Sequence, residues 1–317
     1  MASNKNVFII GNGFDLNLGL NTSYESFYYG NDWEYGRQER GYVSKLNQEF
    51  YVSESIDNTY GRNVNQENSL YKTLDNYPVD DWCEAENVIQ DFAINMSENS
   101  ETDVDKLKNN EEEFDLYRQR VRKFIEHSVT DPYLKAQSCA AQTLMAIIKK
   151  ATYKIYNFNY TKLEDFASLL KIKGDIDCEN VHGTIDDPQI IMGANGKVAL
   201  AKGYDILKKM YCYGYSTHNI SYDLQHADQV IIFGYSMTPI DEIYFKEFLM
   251  KQVSCKEEER KTITFITKND EARHKLLRNI QSLIDNNAEE LFQRNNVRIF
   301  MTESLDEKRF KEFLKNI

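Results

Sequence analysis

Short apolar runs bounded by turn residues recur along the chain and predict buried β-strands. Each run is rich in Val, Ile, Phe or Tyr, and most are followed by apolar residues at helical spacing. The runs cover residues 6–11, 153–159, 229–235, 262–268 and 297–302. A strand followed by a helix, repeated along a chain, is typical of a parallel sheet with helices on both faces. The predicted fold class is therefore α/β, with a parallel, doubly wound, Rossmann-like sheet.

The region between the first two strands breaks this alternation. Residues 52–68 are polar and show no periodicity. Three segments are predicted as helices: residues 81–96, 104–129 and 136–149. The third of these helices is predicted to return the chain to the sheet. We therefore predict a core of residues 1–30 and 150–317, with residues 31–149 as a large helical insertion after the first strand. Ligands bind such sheets at the carboxyl ends of the strands, and the insertion is predicted to cover that rim.

Charge and cysteine content narrow the class of protein. The chain has 50 Asp and Glu against 38 Lys and Arg, a net charge of −12, which disfavours broad binding to nucleic acid. The five cysteines are scattered and form no C-x-x-C pair, so neither a disulfide framework nor a metal site is predicted. No apolar stretch reaches the ~18 residues that span a bilayer, and the N-terminus lacks a signal-peptide pattern. We expect a cytoplasmic protein without membrane contact.

The loop after the first strand, within VFIIGNGFDLNLGLNTSYESF (7–27), contains the first candidate site. Gly11 and Gly13 permit close backbone approach, so their N–H groups are predicted to bind a phosphate near the start of a helix. Leu16 stands where the dinucleotide fingerprint has its third glycine, and a tight strand-to-helix turn remains the alternative. Asp15 is predicted either to contact a ligand or to cap the helix.

The segment NFNYT (157–161) follows the second strand. Asn157 and Asn159 alternate and are predicted to point to the same face. Asn is depleted inside strands, and its amide can hold a ribose or orient a water molecule. The alternative is that both residues form the turn before the next helix.

His182, in VHGTIDDPQIIMG, lies in a short apolar frame. Imidazole has the side-chain pKa best suited to general-base chemistry near neutral pH, so His182 is a candidate base. A structural hydrogen bond is the alternative role.

The segment FGYSMTPIDEIYF (233–245) follows the third strand. Gly234, Tyr235 and Ser236 are predicted to contact an adenosine or its ribose. A nucleophilic Ser236 is disfavoured, because Thr238 stands where the G-x-S-x-G motif closes with glycine. Asp241 is predicted to begin a helix.

Together with GNGFDLNLGLNTSYESF (11–27) and DDWCEAE (80–86), these motifs resemble the bacteriophage abortive infection AbiH family over nearly the whole chain. The sheet motifs also resemble the wider sirtuin-like NAD-binding group. That group has a G-A-G-x-S loop for the dinucleotide, an N-Y-D or N-I-D loop at the nicotinamide ribose, and an H-G pair supplying a base. Here Asp15 replaces the Ser of the first loop, and Thr161 replaces the Asp of the second.

The resemblance implies an anti-phage protein that hydrolyses NAD at its nicotinamide glycosidic bond. The implied catalytic residues are Asp15, Asn159 and His182. The implied NAD-binding residues are Gly11, Asn12, Gly13, Phe14, Thr22, Ser23, Asn157, Gly234, Tyr235 and Ser236. Thr22 and Ser23 are alternatively predicted to cap the next helix. The zinc-binding cysteine pairs of protein deacetylases are missing, so lysine deacylation is not expected.

A non-catalytic sensor of NAD or a derivative, signalling by assembly, is the alternative function. A phage-derived trigger and a homo-oligomer are expected partners. A nuclease is disfavoured, because no carboxylates cluster as in two-metal sites. Trp82 and Glu86 lie four residues apart on one predicted helix, and the family shows the same W-x-x-x-E pattern. Glu86 is predicted to reach the ligand or else to lie on a solvated helix face.

Overall fold

A computed structural model of the protein describes residues 6–39, 70–77, 81–98, 104–130, 132–150 and 152–317. Within these residues, one sheet contains six parallel strands in the order β3-β2-β1-β4-β5-β6. The strands are β1 (Asn6–Ile10), β2 (Tyr153–Asn157), β3 (Cys178–Asn180), β4 (Gln229–Phe233), β5 (Thr262–Thr267) and β6 (Asn296–Met301). The predicted α/β class and parallel sheet are confirmed.

Alternate residues of β1, β2, β4, β5 and β6 pack into two separate cores, one on each face of the sheet. On β1, Phe8 and Ile10 belong to one core, and Val7 and Ile9 belong to the other. The first core is covered by α1 (Asn12–Leu18), α7 (Cys139–Lys150), α8 (Leu163–Leu169) and α13 (Glu307–Asn316). The second is covered by α9 (Ile220–His226), α10 (Glu242–Ser254), α11 (Asp270–Leu283) and α12 (Ala288–Arg294). Burial on both faces explains why these strands are continuous apolar runs.

Strand β3 was not predicted from the sequence. It has three residues, none of them fully buried, and it pairs only with β2 at the edge of the sheet. Two predicted strands were also too long, because β2 ends at Asn157 and β4 ends at Phe233. Gly234 follows with φ +63°, a left-handed conformation that ends the extended backbone.

The described residues form two compact units. The first, within 1–22, 128–187 and 214–317, contains the whole sheet. The second, within 23–127 and 188–213, contains α2 (Tyr24–Tyr28), α3 (Asn31–Glu39), α4 (Leu70–Asn76), α5 (Trp82–Glu98) and α6 (Val104–Val129). These bounds differ from the predicted insertion, because α7 packs on the sheet beside α1 and residues 188–213 join the helical unit. The predicted irregular region 52–68 lies outside the described residues.

The helical unit has its own aromatic core. The Trp82 ring packs 5.2 Å from Tyr24 and 5.4 Å from Phe27, between ring centroids. Other rings in this core are those of Trp33, Tyr71, Tyr117 and Phe124. Helices α5 and α6 match the predicted segments to within two residues. No helix in the described part of the chain combines the length and apolar character required to cross a membrane.

Candidate functional site

Gly11 and Gly13 lie against the loop that follows β4. Their N–H groups donate to the carbonyls of Phe233 at 3.0 Å and of Gly234 at 2.9 Å. A Cβ atom at Gly13 would lie 2.6 Å from the Gly234 Cα, and one at Gly11 would lie 2.6 Å from the Tyr235 Cα. Only glycine fits this contact, which agrees with the tight-turn alternative. The two N–H groups predicted to bind a phosphate are engaged by protein carbonyls in this structure.

Asp15 lies inside α1 and points into the protein. Gly11 occupies the N-cap position, so the helix-cap alternative for Asp15 is wrong. The carboxylate is 1% exposed and accepts hydrogen bonds from Asn159 Nδ2 and Thr161 Oγ1, each at 2.8 Å. The structure thus brings together the ends of β1 and β2 around one buried acid.

Burial raises the pKa of Asp15 from 3.8 to about 7, because the charged carboxylate loses its water. The hydrogen bonds from Thr161 and Asn159 act in the opposite direction but do not cancel this effect. A buried carboxyl group that titrates near neutral pH is typical of groups that exchange protons or stabilise developing charge.

Asn157 holds the loop that presents Asn159. Its Nδ2 donates to the Thr161 carbonyl at 2.8 Å, and its Oδ1 accepts from the Asn159 N–H at 3.0 Å. Asn180 Nδ2 donates to the carbonyls of both Asn159 and Thr161, at 3.2 and 2.9 Å. Asn157 therefore matches the turn-forming alternative, whereas Asn159 reaches Asp15 and also donates to the Gly11 carbonyl at 3.1 Å.

His182 and Asp241 form a buried pair after β3 and β4. Their exposed fractions are 6% and 3%, and Nε2 of His182 lies 3.6 Å from Oδ1 of Asp241. The Tyr235 hydroxyl donates to the other oxygen, Oδ2, at 2.5 Å. The Asp241 carboxylate, held by Tyr235, therefore faces the imidazole, an arrangement that resembles a base oriented by a carboxylate.

Aromatic rings connect this pair to the loop that carries Asn159. Phe158 and Tyr160 flank Asn159 in sequence, and their ring centroids lie 5.3 and 6.4 Å from that of His182. Phe158 also packs 4.5 Å from Tyr235. Asp15, Asn159 and His182 therefore belong to one end of the sheet, as predicted.

Two further residues predicted to bind NAD, Phe14 and Ser236, also have contacts within the protein. Phe14 is fully buried, with its ring 5.3 Å from that of Phe233, so its side chain belongs to the core. The carbonyl of Ser236 accepts a hydrogen bond from Asn279 Nδ2 at 2.8 Å.

Thr22 and Ser23 stabilise the chain that leads out of α1. The Thr22 hydroxyl is buried and donates to Asn12 Oδ1 at 2.8 Å. The Ser23 hydroxyl accepts the N–H of Ser26 at 3.1 Å and caps α2, which confirms the capping alternative.

Sequence reasoning missed three residues of this site: Thr161, Asn180 and Asp241. Thr161 was noted only as a departure from a motif, and Asn180 lies on the strand that was not predicted. Asp241 does precede α10, as expected, but makes no side-chain cap and faces His182 instead. An available signal was the apolar residue Ile240 beside it, which indicates that the neighbouring carboxylate lies near the core.

Glu86 forms a buried ion pair within the helical unit. Its Oε2 lies 3.0 Å from Nζ of Lys209, and the two side chains are 9% and 5% exposed. The solvated-face alternative for Glu86 is therefore wrong.

Glu86→Gln is expected to lower the free energy of unfolding by about 3 kcal/mol, because the buried Lys209 ammonium loses its contact with the Glu86 carboxylate. Thermal unfolding followed by circular dichroism measures this. The double variant Glu86→Leu, Lys209→Met is the matched control and should recover most of the loss. A Glu86→Gln protein of unchanged stability would contradict the structural role.

Among the described residues, no three or more His, Cys, Asp or Glu side chains are grouped to hold a metal ion. Comparison with curated proteins gives no match. A family model described as bacteriophage abortive infection AbiH matches residues 7–266, which include every residue of the site above. Since that match covers most of the chain, the protein belongs to the bacteriophage abortive infection AbiH family, and this membership indicates a role in abortive infection.

Proposed function

We propose that the protein hydrolyses NAD at the bond between nicotinamide and ribose, and that this reaction is its contribution to abortive infection. The observation that carries the proposal is the buried Asp15 carboxyl group, held by Asn159 and Thr161 at the carboxyl ends of β1 and β2. Its pKa of about 7 lets it ionise when a cation approaches.

The strand order supports a dinucleotide as the ligand. The order β3-β2-β1-β4-β5-β6 is that of the classic dinucleotide-binding fold, in which the ligand lies where the order of strands reverses. That point here is between β1 and β4, whose following loops carry Gly11 and Tyr235. A sirtuin-like core of Rossmann type is part of this proposal.

The contact between Asp15 and Thr161 supports a catalytic site rather than a sensor. The sirtuin-like pattern has a hydroxyl residue at the position of Asp15 and a carboxylate at that of Thr161, and this chain exchanges the two. Because the side chains are hydrogen-bonded to each other, the exchange keeps a carboxylate in the site. The replacement of Asp by Thr161 in the second loop therefore does not by itself favour a non-catalytic sensor.

The reaction requires stabilisation of positive charge at the ribose. The bond between C1′ and the nicotinamide nitrogen breaks, its electrons leave with neutral nicotinamide, and C1′ takes on oxocarbenium character. Ionised Asp15 would stabilise this charge in a site of low dielectric constant, where such an interaction is worth several kcal/mol. Both hydrogens of the Asn159 amide are donated to protein oxygens, so its Oδ1 is the atom offered to a ribose hydroxyl.

His182 would take the proton of the attacking water. Water adds to C1′, one proton passes to the imidazole, and ADP-ribose is the second product. Asp241, itself held by Tyr235, lies 3.6 Å from the imidazole Nε2 and would orient the ring. A positioned base of this kind typically contributes ~10²–10⁴-fold to rate.

Purified protein incubated with NAD is expected to release nicotinamide and ADP-ribose in equal amounts. His182→Ala should lower kcat by at least about 100-fold while the protein remains folded. His274→Ala, an exposed histidine on α11, is the matched control and should leave kcat unchanged. Equal turnover in wild type and His182→Ala would contradict the base assignment. Stoichiometric NAD binding without release by any variant would favour the sensor.

A further inference from the structure

Helices α9 and α10 border a groove on the unit that contains the sheet. It has a volume of about 430 Å³ and is lined by residues of 217–225 and 243–247. We name it the α9–α10 groove. None of Asp15, Asn159 and His182 lines it, so it is distinct from the proposed reaction centre. Ligand pockets usually have volumes of about 300–1,000 Å³, so the groove is large enough for one long side chain of another protein.

The described lining of the groove supplies no cation for an anionic ligand. No lysine or arginine is among the residues that line it. The imidazole of His218 faces Glu179 instead, with Nδ1 2.7 Å from Oε2. Lys246 on α10 does not line the groove, and its Nζ lies 3.9 Å from Oε2 of Glu242. A phosphate or carboxylate group is therefore disfavoured as the ligand.

Glu247 is the one carboxylate among the lining residues. Its side chain is exposed, and Oε2 accepts a hydrogen bond from the Ser221 hydroxyl at 3.2 Å. Unlike Glu179 and Glu242, Glu247 forms no ion pair with any described residue. Its negative charge is therefore available to a cation that belongs to another molecule.

Exposed apolar side chains line the same groove. Tyr222 is 61% exposed, and Ile243, one helical turn before Glu247 on α10, is 45% exposed. His226 does not line the groove and stacks on the Tyr222 ring with 4.0 Å between centroids, so the opposite face of that ring is open to a ligand. Exposed aromatic and apolar side chains around a groove are typical of a surface that another protein contacts.

We propose that the α9–α10 groove docks an arginine side chain of a different protein. The planar guanidinium would form two parallel hydrogen bonds to the Glu247 carboxylate and stack on the open face of Tyr222. The apolar stem of the arginine would pack along Ile243. A lysine ammonium is a point charge without a flat face, so arginine is the cation that matches both groups. Docking at this groove does not depend on the proposed NAD hydrolysis.

The net charge of the chain favours such a partner. With 50 Asp and Glu against 38 Lys and Arg, the protein carries a charge of −12 and attracts basic proteins at long range. That attraction alone does not select a docking position. Selection of the groove requires the contacts of Glu247 and Tyr222, which single substitutions can remove.

Calorimetric titration of the full chain with a short peptide tests the groove. The probe is acetyl-leucyl-arginine amide, and the matched neutral probe carries citrulline, which has nearly the same shape without the charge. The arginine probe should bind wild type in a saturable manner and about threefold or more tighter than the citrulline probe. Glu247→Gln should remove this difference between the probes. Tyr222→Ala should weaken binding of the arginine probe about twofold to fivefold.

Two variants control for the loss of charge and of aromatic area. Glu258→Gln removes a carboxylate from an exposed position outside the groove, and Tyr133→Ala removes a ring that is exposed outside the groove. Neither variant should change the affinity for the arginine probe. Added salt should weaken binding of this probe to wild type more than to Glu247→Gln, because it screens the contact with the carboxylate.

Absence of saturable binding, or equal affinity of wild type for the two probes, would overturn the proposal. Equal affinity of wild type, Glu247→Gln and Tyr222→Ala for the arginine probe would also overturn it. Tighter binding of tetramethylammonium than of the arginine probe would assign the groove to a small cation instead. A dimer that Glu247→Gln dissociates would assign the groove to a second copy of this chain.

The titration contains no NAD, so its result is separate from that of the proposed function. Docking of the arginine probe that depends on Glu247, in a protein that never cleaves NAD, would support the groove and reject the hydrolase. Cleavage of NAD by a protein that does not bind the arginine probe would support the hydrolase and reject the groove.

Discussion

Asp15→Asn is expected to yield a protein that is more stable than wild type at pH 8 and has lost NAD turnover. The neutral amide avoids burying a charge, and it can keep both hydrogen bonds by accepting from Asn159 and donating to the Thr161 hydroxyl oxygen. A pKa rise from 3.8 to about 7 corresponds, at pH 8, to a gain on the order of 4 kcal/mol in the free energy of unfolding of Asp15→Asn.

The pH dependence of stability tests the same residue. Because the folded-state pKa of Asp15 is raised, the protonated carboxyl adds to the free energy of unfolding. This contribution is fully present below pH 3.8 and is lost as the pH rises through about 7. Urea unfolding at pH 5 and pH 8 measures how the free energy of unfolding changes with pH. Asp15→Asn should remove the part of this change that Asp15 causes. Asp175→Asn, an exposed control, should leave the pH dependence of the free energy of unfolding and the turnover of NAD as in wild type. An Asp15→Asn protein that is less stable at pH 8 would contradict the buried-acid interpretation.

Gly234→Ala is expected to lower the free energy of unfolding by about 3 kcal/mol or more and to disrupt the site. Its new Cβ would lie 2.3 Å from the Phe14 nitrogen and 2.5 Å from the Gly13 Cα, and a backbone neighbour cannot rotate away. The residue also has φ +63°, which costs a side-chain-bearing residue roughly 1–2 kcal/mol.

Gly214→Ala separates the cost of the left-handed backbone from the cost of the steric clash. Gly214 has φ +78°, and no heavy atom lies near the position of a Cβ there. It should lose only about 1 kcal/mol, the cost of the backbone conformation. Thermal unfolding of the two variants gives the comparison. Equal losses would show that the contact between the β1 and β4 loops is not tight.

The central strands could be predicted because both faces of each are buried, which leaves continuous apolar runs in the sequence. Strand β3 could not be predicted, because this edge strand has three half-buried residues and no continuous apolar run. The ends of β2 and β4 depend on the backbone after Asn157 and Phe233, which the loop hydrogen bonds and the left-handed Gly234 determine.

The sequence predicts which loops form the site, but it does not predict which side chains in those loops contact one another. Parallel strands bring their carboxyl ends together, so motifs after successive strands could be assigned to one edge. The sequence does not show that Thr161 donates to Asp15, since 146 residues separate them. Nor does it show that Gly11 and Gly13 pack against the β4 loop, because a glycine required by packing and one required by a ligand look alike.

We propose that the Asp15 site cleaves NAD during abortive infection. The most direct test is chromatography of NAD, nicotinamide and ADP-ribose from phage-infected bacteria that produce either wild-type or Asp15→Asn protein at equal levels. We expect NAD to fall and both products to rise only with the wild type, together with the block of phage growth. NAD that remains unchanged while the wild-type protein still blocks phage growth would contradict the claim.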